Sequence, residues 1–271
     1  MKIAIIGVGV IGGSLGLALK QNNPRAIIVG FDSPDVLRKA KKRKAIDISA
    51  PTLRSAVADA EIVFVCTPVG SILNLLPKIS RLIPRQTIVT DVGSVKGVIR
   101  SCAIKYFSSH GIFVGGHPMA GSEGNGIEYA DSLLFQNAVY VLCPLRRGGK
   151  NIQPLVSLLK SIGARILTMD AGDHDRVAAA ISHLPQLIAV SLMDYAARKN
   201  ARNPAFLQLA AGGFRDMTRI ASSPFTLWKD ILSTNRYEAG KALEEFETSL
   251  GEFRKGLLQR SLVDVGKRFI R

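Results

Sequence analysis

Ile3-Ala4-Ile5-Ile6-Gly7-Val8-Gly9-Val10-Ile11-Gly12 carries a short β-branched run straight into G-x-G-x-x-G, and apolar residues then recur at helical spacing through Leu15, Leu17 and Leu19. A strand feeding a glycine loop that opens a helix is the arrangement that holds a dinucleotide. Gly7 permits the tight turn, Gly9 lets a pyrophosphate approach the backbone, and Gly12 lets helix and strand pack closely. Val10 and Ile11 complete the loop, whose backbone N–H groups and helix dipole face the phosphates. The next strand, Ala26–Phe31, ends at Asp32, twenty residues after Gly12. A carboxylate there accepts both hydroxyls of an adenosine ribose and repels a 2′-phosphate, so NAD is expected over NADP. The competing role for Asp32 is capping of a helix that starts near Pro34. Strand, loop, helix, strand and acid fall in the order that favours dinucleotide binding.

The α/β pattern continues outward from this unit. Glu61–Cys66 reads as a buried strand, and Thr67-Pro68-Val69 opens a helix. Thr87–Thr90 is a strand ending at Asp91-Val-Gly-Ser94-Val-Lys96, and Ile112–Val114 is another, ending in the loop Gly116-His117-Pro-Met-Ala-Gly121. Ala138–Leu142 and Arg165–Leu167 complete the set, with a helix near Ile152–Ile162. Strands alternating with helices predict an α/β fold: a doubly wound, mostly parallel Rossmann sheet. Ligands of such sheets sit beyond the carboxyl ends of the strands, where Thr67, Pro68, Ser94 and His117 lie.

From Asp173 the strand signals stop. Asp173 or a neighbour is expected to cap a helix through Val177–Ile181, Pro185 interrupts it, and a second helix runs through Leu187, Ile188, Leu192 and Tyr195. Helical stretches follow at Pro204–Ala211, Phe214–Ile220, Pro224–Leu232 and Tyr237–Leu258. The first of these helices are apolar on more than one face, which predicts burial in a homodimer. Residues 1–170 are therefore read as a dinucleotide-binding domain and 171–271 as a helical substrate and dimerisation domain.

Composition bounds the function. With 271 residues and 47% hydrophobic side chains the chain can bury an ordinary core, which excludes a disordered tail or a disulfide miniprotein. The net charge of +15 points to anionic partners. Residues 1–170 hold 21 basic and 10 acidic side chains, and 171–271 hold 15 and 11. Six of the seven residues from Arg38 to Lys44 are basic, with no interleaved aromatics, which reads as the wet face of a helix and not as a base-stacking surface. No nucleic-acid motif is present, so small anions are the expected partners and no nucleic acid is. Cys66, Cys102 and Cys143 lie far apart, which suits buried thiols in a reducing compartment. The uncharged run Ile3–Leu19 resembles a signal peptide, but its five glycines belong to the loop and no convincing cleavage site follows. No other stretch reads as long enough to cross a bilayer, and a soluble cytoplasmic protein without a membrane partner is expected.

Four histidines compete for a catalytic role. His110 precedes a glycine in a turn and is expected in solvent, and His174 lies between two aspartates at a helix start, where capping is the expectation. His117 sits at a strand's carboxyl end, facing the expected nicotinamide. His183, in Ser182-His183-Leu184-Pro185, fits a structural role at a helix kink as well as a site role. Oxidation of an alcohol needs a base for the hydroxyl proton, and histidine titrates near neutrality. A carboxylate substrate would call for an arginine, and Arg215 and Arg219 are both candidates. No metal-binding spacing and no G-x-S-x-G appear, so neither a metal site nor a hydrolase nucleophile is expected.

Gly7-Val-Gly-Val-Ile-Gly-Gly-Ser-Leu15, Thr90-Asp-Val-Gly-Ser-Val-Lys96, Gly116-His-Pro-Met-Ala-Gly-Ser-Glu123, Ser182-His-Leu-Pro185 and Gly212-Gly-Phe-Arg-Asp-Met-Thr-Arg-Ile-Ala221 together resemble the prephenate/arogenate dehydrogenases of tyrosine biosynthesis. The motifs come in family order over residues 1–235, and the histidine and arginine blocks are more specific than the glycine loop. The resemblance implies NAD-dependent oxidative decarboxylation of prephenate, with arogenate or dual cyclohexadienyl use as the alternative. It implies that His117 accepts the hydrogen bond of the 4-hydroxyl, that Ser94 assists there near the nicotinamide, and that Arg219 holds a substrate carboxylate. Ser122 and Glu123 would line the same loop, His183 and Gln186 the substrate side, and the C-terminal helices would form a dimer and complete the cleft. Some prephenate-using members carry His directly after S-H-x-P, where it contacts the substrate side chain; this chain has Gln186. Neither a fused chorismate mutase nor a substantial regulatory domain is expected, and any tyrosine feedback is expected at the active site. Two other readings stand beside it. A β-hydroxyacid dehydrogenase would call for a catalytic Lys on a C-terminal helix, and none stands out near Ser182. A non-catalytic NAD-binding module would have no need of His117.

Overall fold

The run ahead of the glycine loop forms β1 (Lys2–Ile6), and its parallel neighbours are β2 (Ile27–Phe31) on one side and β4 (Ile62–Val65) on the other. The computed structural model describes residues 1–108, 110–122, 124–145, 151–259 and 262–270. Among them eight strands form one sheet in the order β3-β2-β1-β4-β5-β6-β7-β8, with β3 at Ile48–Ser49, β5 at Ile88–Asp91, β6 at Ile112–Pro118, β7 at Val139–Pro144 and β8 at Arg165–Thr168. Every pairing is parallel except β6 with β7.

Both faces of this sheet are covered, so β4 and β5 are buried at every position and read as continuous apolar runs, not as alternating ones. The period of two divides β1 between the faces. Ile3 and Ile5 join Phe64, Leu15 and Leu19 in one core, under α1 (Val10–Asn22). Ala4 and Ile6 join Val63, Val65, Ile72 and Ile99 in the other. That second layer is built by α4 (Val69–Ser80) and α5 (Gly97–Phe107). The basic run falls in α2 (Pro34–Lys42), which buries Leu37 and Ala40 and turns its lysines and arginines outward. The two-residue β3 and the five-residue α3 (Leu53–Val57) are too short to give a periodic signal, and neither is anticipated by the sequence. His110 is not a solvated turn residue. Its ring Nε2 lies 2.7 Å from the Ile83 carbonyl and is partly buried, because the chain doubles back there into β6.

After α6 (Gln153–Ser161) and β8 the chain becomes helical. The break expected at Pro185 does not occur. α7 (Ala171–Ala178) passes through a π-turn, Ala179–His183, into α8 (Leu184–Asn200), with Pro185 in the first turn of α8. Proline lacks an N–H and crowds the carbonyl four residues back, and the wider π-turn absorbs both defects without ending the helix. Two expected apolar helices thus fuse into one run, Ala171–Asn200, which by length and composition alone could cross a bilayer, with a mean hydropathy of 1.4. The helix start is capped by Asp170, whose Oδ1 accepts the Gly172 N–H at 2.8 Å, and not by Asp173.

The remaining helices are α9 (Ala205–Gln208), α10 (Gly212–Thr218), α11 (Phe225–Thr234), α12 (Arg236–Leu258) and α13 (Leu262–Phe269). Met1–Asp175 and Ser223–Thr234 form one compact unit, and Arg176–Ser222 with Asn235–Arg271 the other. In the second unit α8 packs against α9, α10 and α12. Among its described residues the buried hydrophobic side chains are alanines (Ala178, Ala179, Ala189, Ala196, Ala239, Ala242), while Ile181 stays 61% exposed and Leu209 81%.

In the first unit, the carboxyl ends of β5 and β6 are tied by a buried ion pair. Lys96 Nζ donates to Asp91 Oδ2 and, at 2.7 Å, to the Gly116 carbonyl. Asp91 also accepts the N–H groups of Gly93 at 2.8 Å and Gly116 at 3.1 Å, and both side chains are essentially inaccessible. Every polar group of the pair is therefore met. Lys96→Met would strand the Asp91 carboxylate in the core, and such losses cost about 3–5 kcal/mol. Urea denaturation is expected to show that loss, and the double variant Asp91→Asn/Lys96→Met to recover part of it. A single variant as stable as the wild type would refute the pairing.

Candidate functional site

The glycine loop takes the geometry its spacing demands. Gly7 adopts φ 91°, a left-handed conformation that other residues avoid. A Cβ on Gly12 would sit 2.0 Å from the Gly7 carbonyl oxygen, so only glycine lets α1 start this close to β1. At Gly9 a Cβ would meet nothing within 4 Å, and the backbone there is open to a ligand. Asp32 follows β2, with Oδ2 accepting the Val8 N–H at 2.7 Å and Oδ1 the Ser33 N–H at 2.7 Å. Ser33, not Asp32, is the N-cap residue of α2. The carboxylate thus braces the loop from the position expected of a ribose acceptor.

Above the strand ends lies a cleft of about 470 Å³. Gly9, Val10, Ile11, Thr67, Pro68, Ser94, His117 and Ser122 of the expected site residues line it; Gly7, Gly12 and Asp32 do not. Thr67 Oγ1 is buried, with no hydrogen-bond partner among the described residues. An orphaned hydroxyl in the wall, an open backbone at Gly9 and a carboxylate after β2 fit a dinucleotide. Leu227 and Ile231 of α11 also line the cleft. No motif in the sequence singles them out, since α11 follows in a run of helices. α11 also supplies Asp230, whose Oδ2 accepts the Gly70 N–H at 2.9 Å and caps α4 where Pro68 cannot.

His117 is not in a loop. β6 continues through Pro118, pairing Gly116 with Leu142, His117 with Val141 and Pro118 with Tyr140. The extension requires Gly116, where a Cβ would come within 2.5 Å of the Asp91 carbonyl oxygen. The imidazole is 8% exposed, and its Nδ1 lies 2.8 Å from Nε2 of His174, with the two ring planes at 69°. His174 Nδ1 lies 2.8 Å from Asp175 Oδ1. Asp175 in turn accepts the N–H groups of Lys96 at 2.6 Å and Gly97 at 2.8 Å, which caps α5. His174, expected to cap a helix, is instead buried behind His117. Burial pushes the Asp175 carboxyl up, but the His174 hydrogen bond, the two backbone N–H groups and the His174 charge outweigh it and hold the carboxyl below its usual range. Burial, with the Asp91 charge adding, pushes the Cys66 thiol in the cleft wall up, so it lines the wall as a neutral group.

The loop after β6 is held by the basic helix. Lys39 Nζ donates to Glu128 Oε1 at 2.6 Å, and the Arg43 guanidinium donates to the carbonyls of Glu128 at 2.8 Å and Ala130 at 2.7 Å. Glu123 lies outside the described residues. His183 is fully buried, with Nδ1 3.3 Å from Nδ2 of Asn235, and Gln186 is buried in the first turns of α8. Arg219 is exposed at the start of a 3-10 turn, Arg219–Ser222, and Arg215 is exposed in α10.

Dinucleotide-dependent oxidoreductases carry their reactive ring over strand ends of this kind, and the sheet and cleft fall in that class. Residues 15–168 match the model of the prephenate dehydrogenase nucleotide-binding domain, and 170–264 that of the prephenate dehydrogenase dimerization domain. The chain belongs to the prephenate dehydrogenase family. It is 39% identical over 256 residues to a prephenate dehydrogenase of Bacillus subtilis, covering 93% of this chain and 68% of the relative. Among solved structures, the prephenate dehydrogenase of A. aeolicus in complex with hydroxyphenyl propionate and NAD+ superposes with a TM-score of 0.88 at 30% identity, covering 96% and 92% of the two chains. Synechocystis arogenate dehydrogenase gives 0.83 at 31% identity, covering 96% and 93%.

The depressed Asp175 carboxyl sets an acid limit on stability. Its contribution is complete above the unfolded carboxyl value of about 4 and is lost as pH falls through the lower folded value. Melting temperatures of wild type and Asp175→Asn are expected to converge as pH drops from about 5 toward 2. Parallel curves over that range would rule the contribution out.

Proposed function

We propose that this chain catalyses the oxidative decarboxylation of prephenate to 4-hydroxyphenylpyruvate with NAD as cofactor. The observation that carries the reading is that the glycine loop, Ser94 and His117 share one cleft. Bound NAD+ supplies the hydride acceptor. Gly7, Gly9, Val10, Ile11 and Gly12 hold the pyrophosphate, Asp32 the adenosine ribose, and Thr67 and Pro68 the wall beside the reactive ring. His117 accepts the proton of the substrate 4-hydroxyl while the hydrogen on that carbon leaves as hydride. Ser94 hydrogen-bonds the same oxygen. The bond to the ring carboxylate then breaks, its electron pair completes the aromatic ring, and CO2 departs. Aromatisation drives the step, and the proton on His117 returns to the phenolic oxygen or to solvent. Arg219 pairs with a substrate carboxylate, and Ser122, Glu123, His183 and Gln186 contribute on the substrate side.

The chain is proposed to work in the cytoplasm as a homodimer through its helical region, 171–271, with 1–170 as the cofactor domain. The large apolar side chains left outward on that region, Ile181 and Leu209 among them, support a partner surface. A second reading, use of arogenate, is favoured by the uncharged Gln186: an amide suits the amino-acid side chain of arogenate, whereas a cationic donor would suit the keto acid of prephenate.

NADH formation with prephenate and with arogenate, measured side by side, tests the assignment; no turnover of either would end it. His117→Ala is expected to lower kcat by about 10²–10⁴-fold, the usual worth of a general base, with little change in NAD+ affinity. Arg219→Ala is expected to act mainly on KM for the carboxylated substrate, and an unchanged KM would remove it from the site.

A further inference from the structure

His174 and Asp175 have no part in the chemistry proposed so far, yet both are buried and linked to the histidine that does. Among the described residues, the titratable groups near His117 include His174 and Asp175 of α7, the Asp91–Lys96 pair bonded to Gly116, and Tyr140 and Cys143 of β7. Of these, His174 meets the imidazole directly, at 2.8 Å.

The backbone sets the order of donors and acceptors as far as His174 Nδ1, and the neutral form of His174 sets the rest. The N–H groups of Lys96 and Gly97 can only donate, so both oxygens of Asp175 act as acceptors. His174 Nδ1, 2.8 Å from Asp175 Oδ1, is then the donor. With its proton on Nδ1, a neutral His174 offers a lone pair at Nε2. The only group that can use that lone pair across the 2.8 Å contact is an N–H on His117 Nδ1. His117 is thereby left with its own lone pair on Nε2, the nitrogen a base must use.

We propose that His174 and Asp175 are positioning residues for the reaction: a His117–His174–Asp175 relay that locks His117 in the Nδ1–H tautomer and spreads the charge it gains on accepting the hydroxyl proton. The inference rests on His117 being the base and deepens that assignment. No covalent step is added. One proton reaches His117 Nε2, and the protons already on the two Nδ1 atoms strengthen their existing hydrogen bonds. The same carboxylate caps α5, so the relay is anchored to the backbone just after Ser94, and base and serine share one support.

Two variants separate a relay from mere packing. His174→Phe keeps the ring and removes both nitrogens; His174→Gln can accept from His117 with Oε1 and donate to Asp175 with Nε2, the same order as the imidazole. His174→Phe is expected to lower kcat about 10²-fold at nearly constant KM, and His174→Gln to recover to within about tenfold of wild type. The acid limb of the kcat profile should move to lower pH in His174→Phe, because a His117 ring without an acceptor at Nδ1 is a weaker base. Wild-type kcat and pH profile in His174→Phe, or equal losses in both variants, would overturn the relay. Long-range 1H–15N spectra of the 15N-histidine-labelled full chain supply a readout that needs no turnover. They should show His117 and His174 both protonated on Nδ1 at neutral pH, and a proton on His117 Nε2 would refute the proposal. If the wild type turns over neither cyclohexadiene, the reaction assignment fails while the spectra still decide the tautomer.

Discussion

A lysine and an aspartate shut inside the sheet support everything above them. Asp91 ends β5, Lys96 follows one turn later, and between them they engage the N–H and the carbonyl of Gly116 and the N–H of Gly93. Two buried charges repay their desolvation only when geometry and hydrogen bonding are complete, and here the carboxylate accepts the N–H groups of Gly93 and Gly116 while the ammonium donates to the carboxylate and to the Gly116 carbonyl. The segment 92–96, which carries Ser94, and the last turn of β6, which carries His117, are held against each other by one ionic knot. Position within a few tenths of an ångström is what acid–base catalysis requires, and a buried pair surrounded by backbone gives little freedom to drift.

The fold was legible because its signals are local. The glycine loop announces itself within ten residues, and the continuous apolar strands follow from a sheet covered on both faces. The cleft was half legible: Thr67, Ser94 and His117 each stand at a strand end that the periodicity located. His174 was not, because its meaning depends on a contact across 57 positions, and a histidine between two aspartates reads locally as a helix start. The contiguity of α7 and α8 was hidden for a related reason. Proline is a reliable stop only if the helix keeps its i→i+4 pattern, and the π-turn changes that pattern just ahead of it. α11 carries no motif that separates it from its helical neighbours, yet it caps α4 and lines the cleft.

The charge excess also takes on a definite distribution. Part of the basic run on α2 is not simply wet surface, since Lys39 and Arg43 reach the 3-10 turn Ile127–Tyr129 and hold the loop that borders the cleft. The helix that follows Asp32 thus also tethers the loop that follows β6. A cation that grips main-chain carbonyls is doing structural work, and it contributes positive potential to the cofactor-binding half at the same time.

Among the described residues, β6 with β7 is the single antiparallel pairing. In a parallel crossover the chain leaving a strand must travel to the opposite end of the sheet before the next strand can begin. Because β7 runs backwards, the chain from Met119 to Ala138 starts and finishes at the same end, with Met119 N–H bonded to the Val139 carbonyl at 2.8 Å where the two strands meet. A connection that would otherwise be transit becomes a canopy over the carboxyl ends. Insertions or exchanges within it would remodel the space over the cleft without disturbing strand register.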